Sequence, residues 1–266
     1  MKIIRRNILA YLTLALLFTG CPPPKPIVKE LPPPPVVGKK PPMPEIMVNI
    51  GSLNLAKYTK KIEKNDVLKF AEQIKLDSID LVLLQGITRY PELINRVDLV
   101  DELARIADLR KVFGETITLT GRQNGNAIFS LYPIRSNENT PYHNLQNSNF
   151  ETALQAIIDC GAREIVVVST LLPEKSPASD QSLVATTLGS YNNLYYGKPI
   201  IISGNLPKSE NARALANYDE ARKLRTDDTP LVWYSGDGSL KLTAEKIEQT
   251  VFGKMSVVRF GVFRKQ

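Results

Sequence analysis

The stretch GNAIFSLYPI, residues 125–134, decides how the chain is read. Its centre, residues 126–131, is a short apolar run around Ile128 and Phe129, closed by Pro133, which predicts a buried strand. Before it, TGRQNG at residues 120–125 is turn-forming, and residues 115–119 predict another strand on its far side. Working outward, short apolar runs predict strands at residues 46–55, 79–84, 153–159, 164–170, 198–203 and 256–264. Between them, helical spacing predicts helices at residues 66–75, 93–109, 181–196 and 209–225. Strands with helices inserted between them predict an α/β fold of two packed mixed sheets flanked by helices, in one domain spanning residues 46–266.

The same segments, in order, resemble the endonuclease/exonuclease/phosphatase family. GNAIFSLYPI resembles that family's "G-N-A-I-x-S-x-x-P-I" strand, and IMVNIGSLNL (residues 46–55) its opening strand, which ends in Asn, here Asn54. IDLVLLQG (79–86) resembles "D-I-V-x-L-Q-E", VVVSTLL (166–172) the strand ending "T-H-L", and IIISGNLP (200–207) the strand ending "G-D-x-N". MSVVRFGVF (255–263) falls where the family has "S-D-H". The resemblance implies a DNase I-like four-layer α/β sandwich.

It also implies a chemistry, in which a water or hydroxide attacks phosphorus while Mg²⁺ ions held by oxygen ligands stabilise the developing charge. The family's metal-binding Glu is matched by Gly86, its phosphate-binding His by Leu171, and its Asp and Asn by Asn205 and Pro207. An amide orients water but does not take its proton near neutral pH, so Asn205 is no general base. Val257 and Val258 stand where the family has its Asp–His pair, and neither titrates. Asn54 alone keeps the family's residue type. The resemblance therefore points to a sandwich whose phosphoryl-transfer site has been dismantled, with no catalytic residue and no cofactor. The alternative is a divergent Mg²⁺-dependent phosphodiesterase, nuclease or sphingomyelinase-like hydrolase with relocated ligands, for which Asp77, Asp80, Asp227, Asp228 and Asp237 are the available carboxylates.

Histidine count sharpens this reading. The only His among 266 residues, His143 in PYHNLQ, matches no catalytic position and reads as a surface loop residue. One His and two Cys also exclude a zinc cluster, an iron–sulfur framework or a disulfide scaffold. Cys160 in IIDCGAR reads as a small buried hydrophobe. Tyr191, Tyr195, Tyr196 and Trp233 read as packing at the core edge, with a binding groove as the second reading.

The N-terminus carries the address. Residues 1–20 have a positive start (Lys2, Arg5, Arg6) and an apolar stretch of 11 residues, Ile8 to Phe18, short of the roughly 20 a spanning helix needs. This reads as a signal peptide. Thr19 and Gly20 before Cys21 resemble a bacterial lipoprotein lipobox, which implies acylation of Cys21 and membrane tethering through lipid. Pro22 to Glu45 holds 11 of 19 prolines and reads as an extended linker reaching about 70 Å. Pro22, standing where an inner-membrane lipoprotein often has Asp, favours the outer membrane.

The charge of +7 is then mostly an export and tether signal. Residues 1–45 carry seven bases and two acids, leaving 27 bases against 25 acids, or +2, on the folded part. Those bases are scattered, with no basic stripe interleaved with aromatics, which disfavours nucleic acid as a partner. The expected function is a lipid-anchored, non-catalytic domain of the bacterial cell envelope that binds an unidentified protein or envelope ligand, or acts structurally.

Overall fold

Side-chain alternation sets the layers. In strand β1 (Ile46–Asn54), Val48 and Ile50 bury on one face and Leu53 on the other. Strand β2 (Leu81–Arg89) repeats this, with Leu81 and Leu83 on the first face and Val82 and Leu84 on the second. Both faces being apolar, each strand needs cover on both sides. The computed structural model describes residues 44–90, 96–119, 121–142, 151–161, 163–172, 176–205, 215–220 and 229–263. Cys21, His143, Pro207, Asp227 and Asp228, with the leader and nearly all of the linker, lie outside the described residues.

Two six-stranded mixed sheets supply that cover. The remaining strands are β3 (Arg110–Leu119), β4 (Arg122–Ser130), β5 (Ile134–Pro141), β6 (Thr152–Asp159), β7 (Glu164–Leu171), β8 (Ile200–Asn205), β9 (Tyr218–Glu220), β10 (Leu231–Ser235), β11 (Leu240–Thr250) and β12 (Gly253–Val262). The first sheet runs β11–β12–β1–β2–β4–β3 and the second β5–β6–β7–β8–β10–β9. The central pairs β1/β2 and β7/β8 are parallel, and the other pairs are antiparallel. Between the sheets lies a core of Val48, Ile50, Leu83, Ile128, Ile158, Val167, Ile201 and Phe260.

Helices close the outer faces. Helix α1 (Lys64–Leu76) buries Val67, Phe70, Ala71 and Ile74, the i, i+3, i+4, i+7 stripe of an amphipathic helix, and opens on a capping box between Glu63 and Asp66. With α2 (Leu99–Ala107) it packs on the first sheet against Leu84, Phe129 and Met255. Helix α3 (Ala178–Leu194) packs Val184, Leu188 and Tyr191 on the second sheet against Val166, Val168 and Ile202. The order helices, sheet, sheet, helix is the four-layer α/β sandwich expected from sequence.

Some elements differ from expectation. Helix α2 begins at Leu99, not residue 93, because Asp98 accepts from Val100 N and Asp101 N and caps it there, and Arg89 holds Asp98 with N–O distances of 2.7 and 2.8 Å. Residues 218–220, inside an expected helix, form strand β9, with Tyr218 paired opposite Ser235 and Tyr234 opposite Asp219. Strands β5 and β11 are both sheet edges: β5 has mostly exposed side chains and carries no apolar alternation, whereas β11 sets only Leu240 and Leu242 against the inter-sheet core, and such charged or polar edges suppress further pairing.

Candidate functional site

The strands that run parallel at the centre of each sheet deliver the family-like positions to one end. Asn54 lies beside Gln85 in the β1/β2 register, and Leu171 beside Asn205 in β7/β8. Asn54 and Asn205 line one cavity of about 380 Å³, with Lys57, Tyr58, Phe252 and Lys254. Thr229, Pro230, Gln249 and Gly253 complete the lining. None of these is a carboxylate, and two are lysines.

Gly86 shows why a ligand cannot simply be restored. It has φ +64 and sits in a bulge where the β2/β4 register shifts between Leu84 and Ile87. A Cβ there would lie 2.7 Å from Ala56 Cβ and 2.8 Å from Ala56 Cα and N. The chain after β1 is folded onto Gly86 by two bonds: Leu55 N donates to Gln85 O at 2.8 Å, and Ala56 N donates to Asn54 Oδ1 at 2.9 Å. Asn54 thus holds its own turn in place, as an Asx turn does. On the other side, Gly86 N donates to Asn126 Oδ1 at 3.3 Å, while Asn126 Nδ2 donates to Thr152 O at 3.1 Å and ties the two sheets.

Beneath the cavity is a second, fully buried tie. The Gln85 amide nitrogen lies 3.1 Å from both Ser52 Oγ and Ser169 Oγ, and Ser203 Oγ lies 2.7 Å from Ser52 Oγ and 2.9 Å from Leu231 O. Ser52 and Gln85 come from the first sheet, and Ser169 and Ser203 from the second. All four are at most 1% exposed. Such a satisfied polar cluster fixes register where an apolar interface would permit sliding. Asn205 likewise braces the structure, since its Nδ2 donates to Leu172 O and its backbone carbonyl accepts from Leu172 N.

The other expected positions lie elsewhere. Val257 and Val258 pair with Gly51 and Ile50 of β1 and bury in the helix-side and inter-sheet cores, so neither lines the cavity. Leu171, half-buried beside Asn205, does not line it either.

The relocated-carboxylate alternative needs acids to converge. Asp80 precedes β2 and stands six residues of extended chain from Gly86, about 20 Å. Its carboxylate accepts from Asn49 N at 2.8 Å. Burial pushes its carboxyl above the ordinary range despite that bond and nearby Arg259. Asp77 caps the far end of α1 and pairs with Lys246. Burial acts to raise Asp77 as well, but bonds from Lys246 and Gln73 outweigh it and hold the carboxyl below the usual range. Asp237 closes a turn by accepting from Ser239 N at 3.0 Å. Among the described residues no group of three or more His, Cys, Asp or Glu could hold a metal. The donor set at this cavity is made chiefly of amides, two ammoniums, a phenol and a hydroxyl, which does not suit Mg²⁺, an ion that takes carboxylates and water.

Cys160 is buried, and burial pushes its thiol up to about 12. Tyr191 and Trp233 belong to the core under α3, as expected. Tyr196 departs from that expectation: it is 84% exposed, because it follows the end of α3 and has left the face that packs on the sheet. Lys57, Tyr58 and Lys254 are site residues that the sequence reading misses. The available signal is position, since AKY directly follows Leu55 at the end of β1 and GK directly precedes MSVVRF.

No protein-family model matches the sequence, and no curated protein matches it. Solved structures do. The endonuclease/exonuclease/phosphatase from Beutenbergia cavernae is similar over 82% of this chain and 72% of its own, with TM-score 0.63 at 15% identity. That from Bacteroides vulgatus is similar over 82% of this chain and all of its own, with TM-score 0.62 at 9% identity. The human Nocturnin catalytic domain, solved with a bound sulfate anion, is similar over 82% of this chain and 94% of its own, with TM-score 0.62 at 17% identity. At these identities the likeness is one of fold, and it agrees with the strand order and layers: the chain carries a domain with the endonuclease/exonuclease/phosphatase fold.

Proposed function

We propose that this protein is a bacterial lipoprotein, acylated at Cys21 and held by a proline-rich linker at the outer membrane, whose phosphoesterase-like domain binds an anionic group without hydrolysing it. The observation that carries the reading is the packing of the Ala56 backbone against Gly86, in the volume a metal-binding side chain would enter. The cavity beside it offers cations in place of carboxylates, Lys57 and Lys254, with the phenol of Tyr58, which burial and the Asp66 charge push above its ordinary range. An oxyanion such as sulfate or a phosphoryl group suits ammonium and amide donors. The fold neighbour from human, Nocturnin, carries a sulfate anion in its structure, which supports this ligand class by analogy of fold.

Two experiments test the proposal. Titration of the full-length protein with sulfate and with inorganic phosphate should give saturable binding that weakens at least about tenfold in a Lys57→Ala, Lys254→Ala double variant. Binding that is absent, or unchanged in the double variant, refutes the anion reading. For the anchor, labelled palmitate should enter the wild-type chain and not Cys21→Ser, and label in both refutes acylation at Cys21.

A further inference from the structure

A second cavity, of about 430 Å³, lies at the opposite end of β8. Strand β8 begins at Ile200 and ends at Asn205, so the two cavities are separated by its length, about 20 Å. The second one is lined by Asn192, Tyr195, Tyr196, Asn217, Asp219 and Asp237, among others. Its volume falls within the range of small-ligand sites, which run to about 300–1,000 Å³.

The lining has a specific chemistry. The amides of Asn192 and Asn217 offer donors and acceptors together, and Asp219 and Asp237 add acceptors. Two carboxylates oppose an anionic ligand. Lys198, the cation in the lining, is paired with Glu164 and adds no net positive charge. Tyr195 and Tyr196 bring aromatic rings, whose negative faces attract polarised C–H groups. A ligand that carries many hydroxyls and presents C–H faces matches the amides, the carboxylates and the rings together.

The tyrosine-bearing turn is built in. Tyr195 N donates to Tyr191 O at 2.8 Å and Lys198 N to Tyr195 O at 2.9 Å. Arg163 holds the turn from beneath, donating to Gly197 O at 2.9 Å and to Phe263 O. The Tyr195 ring rests edge-on against buried Tyr191, with centroids 6.0 Å apart. Tyr196, by contrast, is 84% exposed and lies outside the buried cluster under α3.

We infer that this cavity is a saccharide-binding site, with Tyr196 and Tyr195 as the aromatic platform and Asn192, Asn217, Asp219 and Asp237 as hydroxyl partners. It is independent of the anion cavity and of whether that cavity binds anything.

The test is calorimetric titration of the full-length protein, in a detergent whose headgroup contains no sugar, with maltotriose, cellotriose and triacetylchitotriose. Saturable binding of at least one trisaccharide is expected. Tyr196→Ala should weaken it at least about tenfold, and Asp219→Asn should weaken it also. Both side chains are exposed, so the variants should fold as the wild type does, which a thermal melt checks. Lys254→Ala, at the other cavity, should leave saccharide binding unchanged. No binding of any of the three at about 10 mM, binding unaffected by Tyr196→Ala, or binding lost in Lys254→Ala would each overturn the inference.

Discussion

Substituting Gly86 measures how firmly the family's metal position is closed. Gly86→Ala places a Cβ on a residue at φ +64, which costs about 1–2 kcal/mol for any L-residue. That Cβ also meets Ala56 Cα and N at 2.8 Å, and backbone cannot rotate away as a side-chain tip can. Relieving such an overlap costs about 1–3 kcal/mol, so the total is about 2–5 kcal/mol. For a domain of this size that is a fall in melting temperature of about 5–15 °C. Gly238 is the internal control: it has φ +79 with nothing within 4 Å of an added Cβ, so Gly238→Ala should bear only the conformational cost. Urea unfolding of both variants, read at unchanged m-value, isolates the Ala56 overlap as their difference. If Gly86→Ala is no more destabilising than Gly238→Ala, the space beside Gly86 is open and the reasoning fails. Gly86→Glu should be at least as destabilising and should not confer Mg²⁺ binding. A stable Gly86→Glu protein that bound Mg²⁺ would show that one lost side chain, and not a rebuilt turn, separates this site from a metal site.

Other consequences follow from the same geometry. Gln85→Leu removes the amide that joins Ser52 to Ser169 and strands buried hydroxyls, so it should cost about 2–4 kcal/mol in urea unfolding, and a loss under about 0.5 would show that the network does not hold the sheets. Because Asp77 has its carboxyl lowered in the folded state, its stabilisation is present above the ordinary carboxylate value and is lost as pH falls through the folded one. Asp77→Asn should therefore destabilise at pH 7 and converge on the wild type near pH 3. Asp80, raised by burial, has the opposite sign, so Asp80→Asn should compare more favourably with the wild type at pH 7 than at pH 4, as melting curves across pH would register. Cys160, buried and with its thiol raised to about 12, should react with a disulfide reagent only on unfolding.

Much of the sandwich is legible in the sequence because central strands bury both faces and leave apolar runs. Residues 126–131, 164–170 and 198–203 are such cases, and α1 shows the complementary 3.6-residue stripe. Edge strands leave a weaker mark: IRSNENTP in β5 has only Ile134 to set against the core, and in β11 only Leu240 and Leu242 face it among Lys, Thr and Glu. At the site, Gly86 and Asn205 are locatable because each lies near the end of the central run of its strand, beside a recognisable neighbour. What fills the space next to Gly86 is not. That depends on an Asx turn at Asn54 bringing Ala56 across from β1 to β2, a contact between residues 30 positions apart that no local pattern encodes. The exposure of Tyr196 is equally hidden, since its helix ends at Leu194, short of the residue to which periodicity extends it.

The most direct test of a binding domain with a closed metal position combines two readings on the full-length protein. One is calorimetric titration with Mg²⁺ and Mn²⁺, and the other is hydrolysis of bis-p-nitrophenyl phosphate with each metal present. The account predicts no saturable heat up to about 10 mM metal and no metal-dependent release of p-nitrophenol above a metal-free control. Saturable metal binding accompanied by metal-dependent hydrolysis would contradict it.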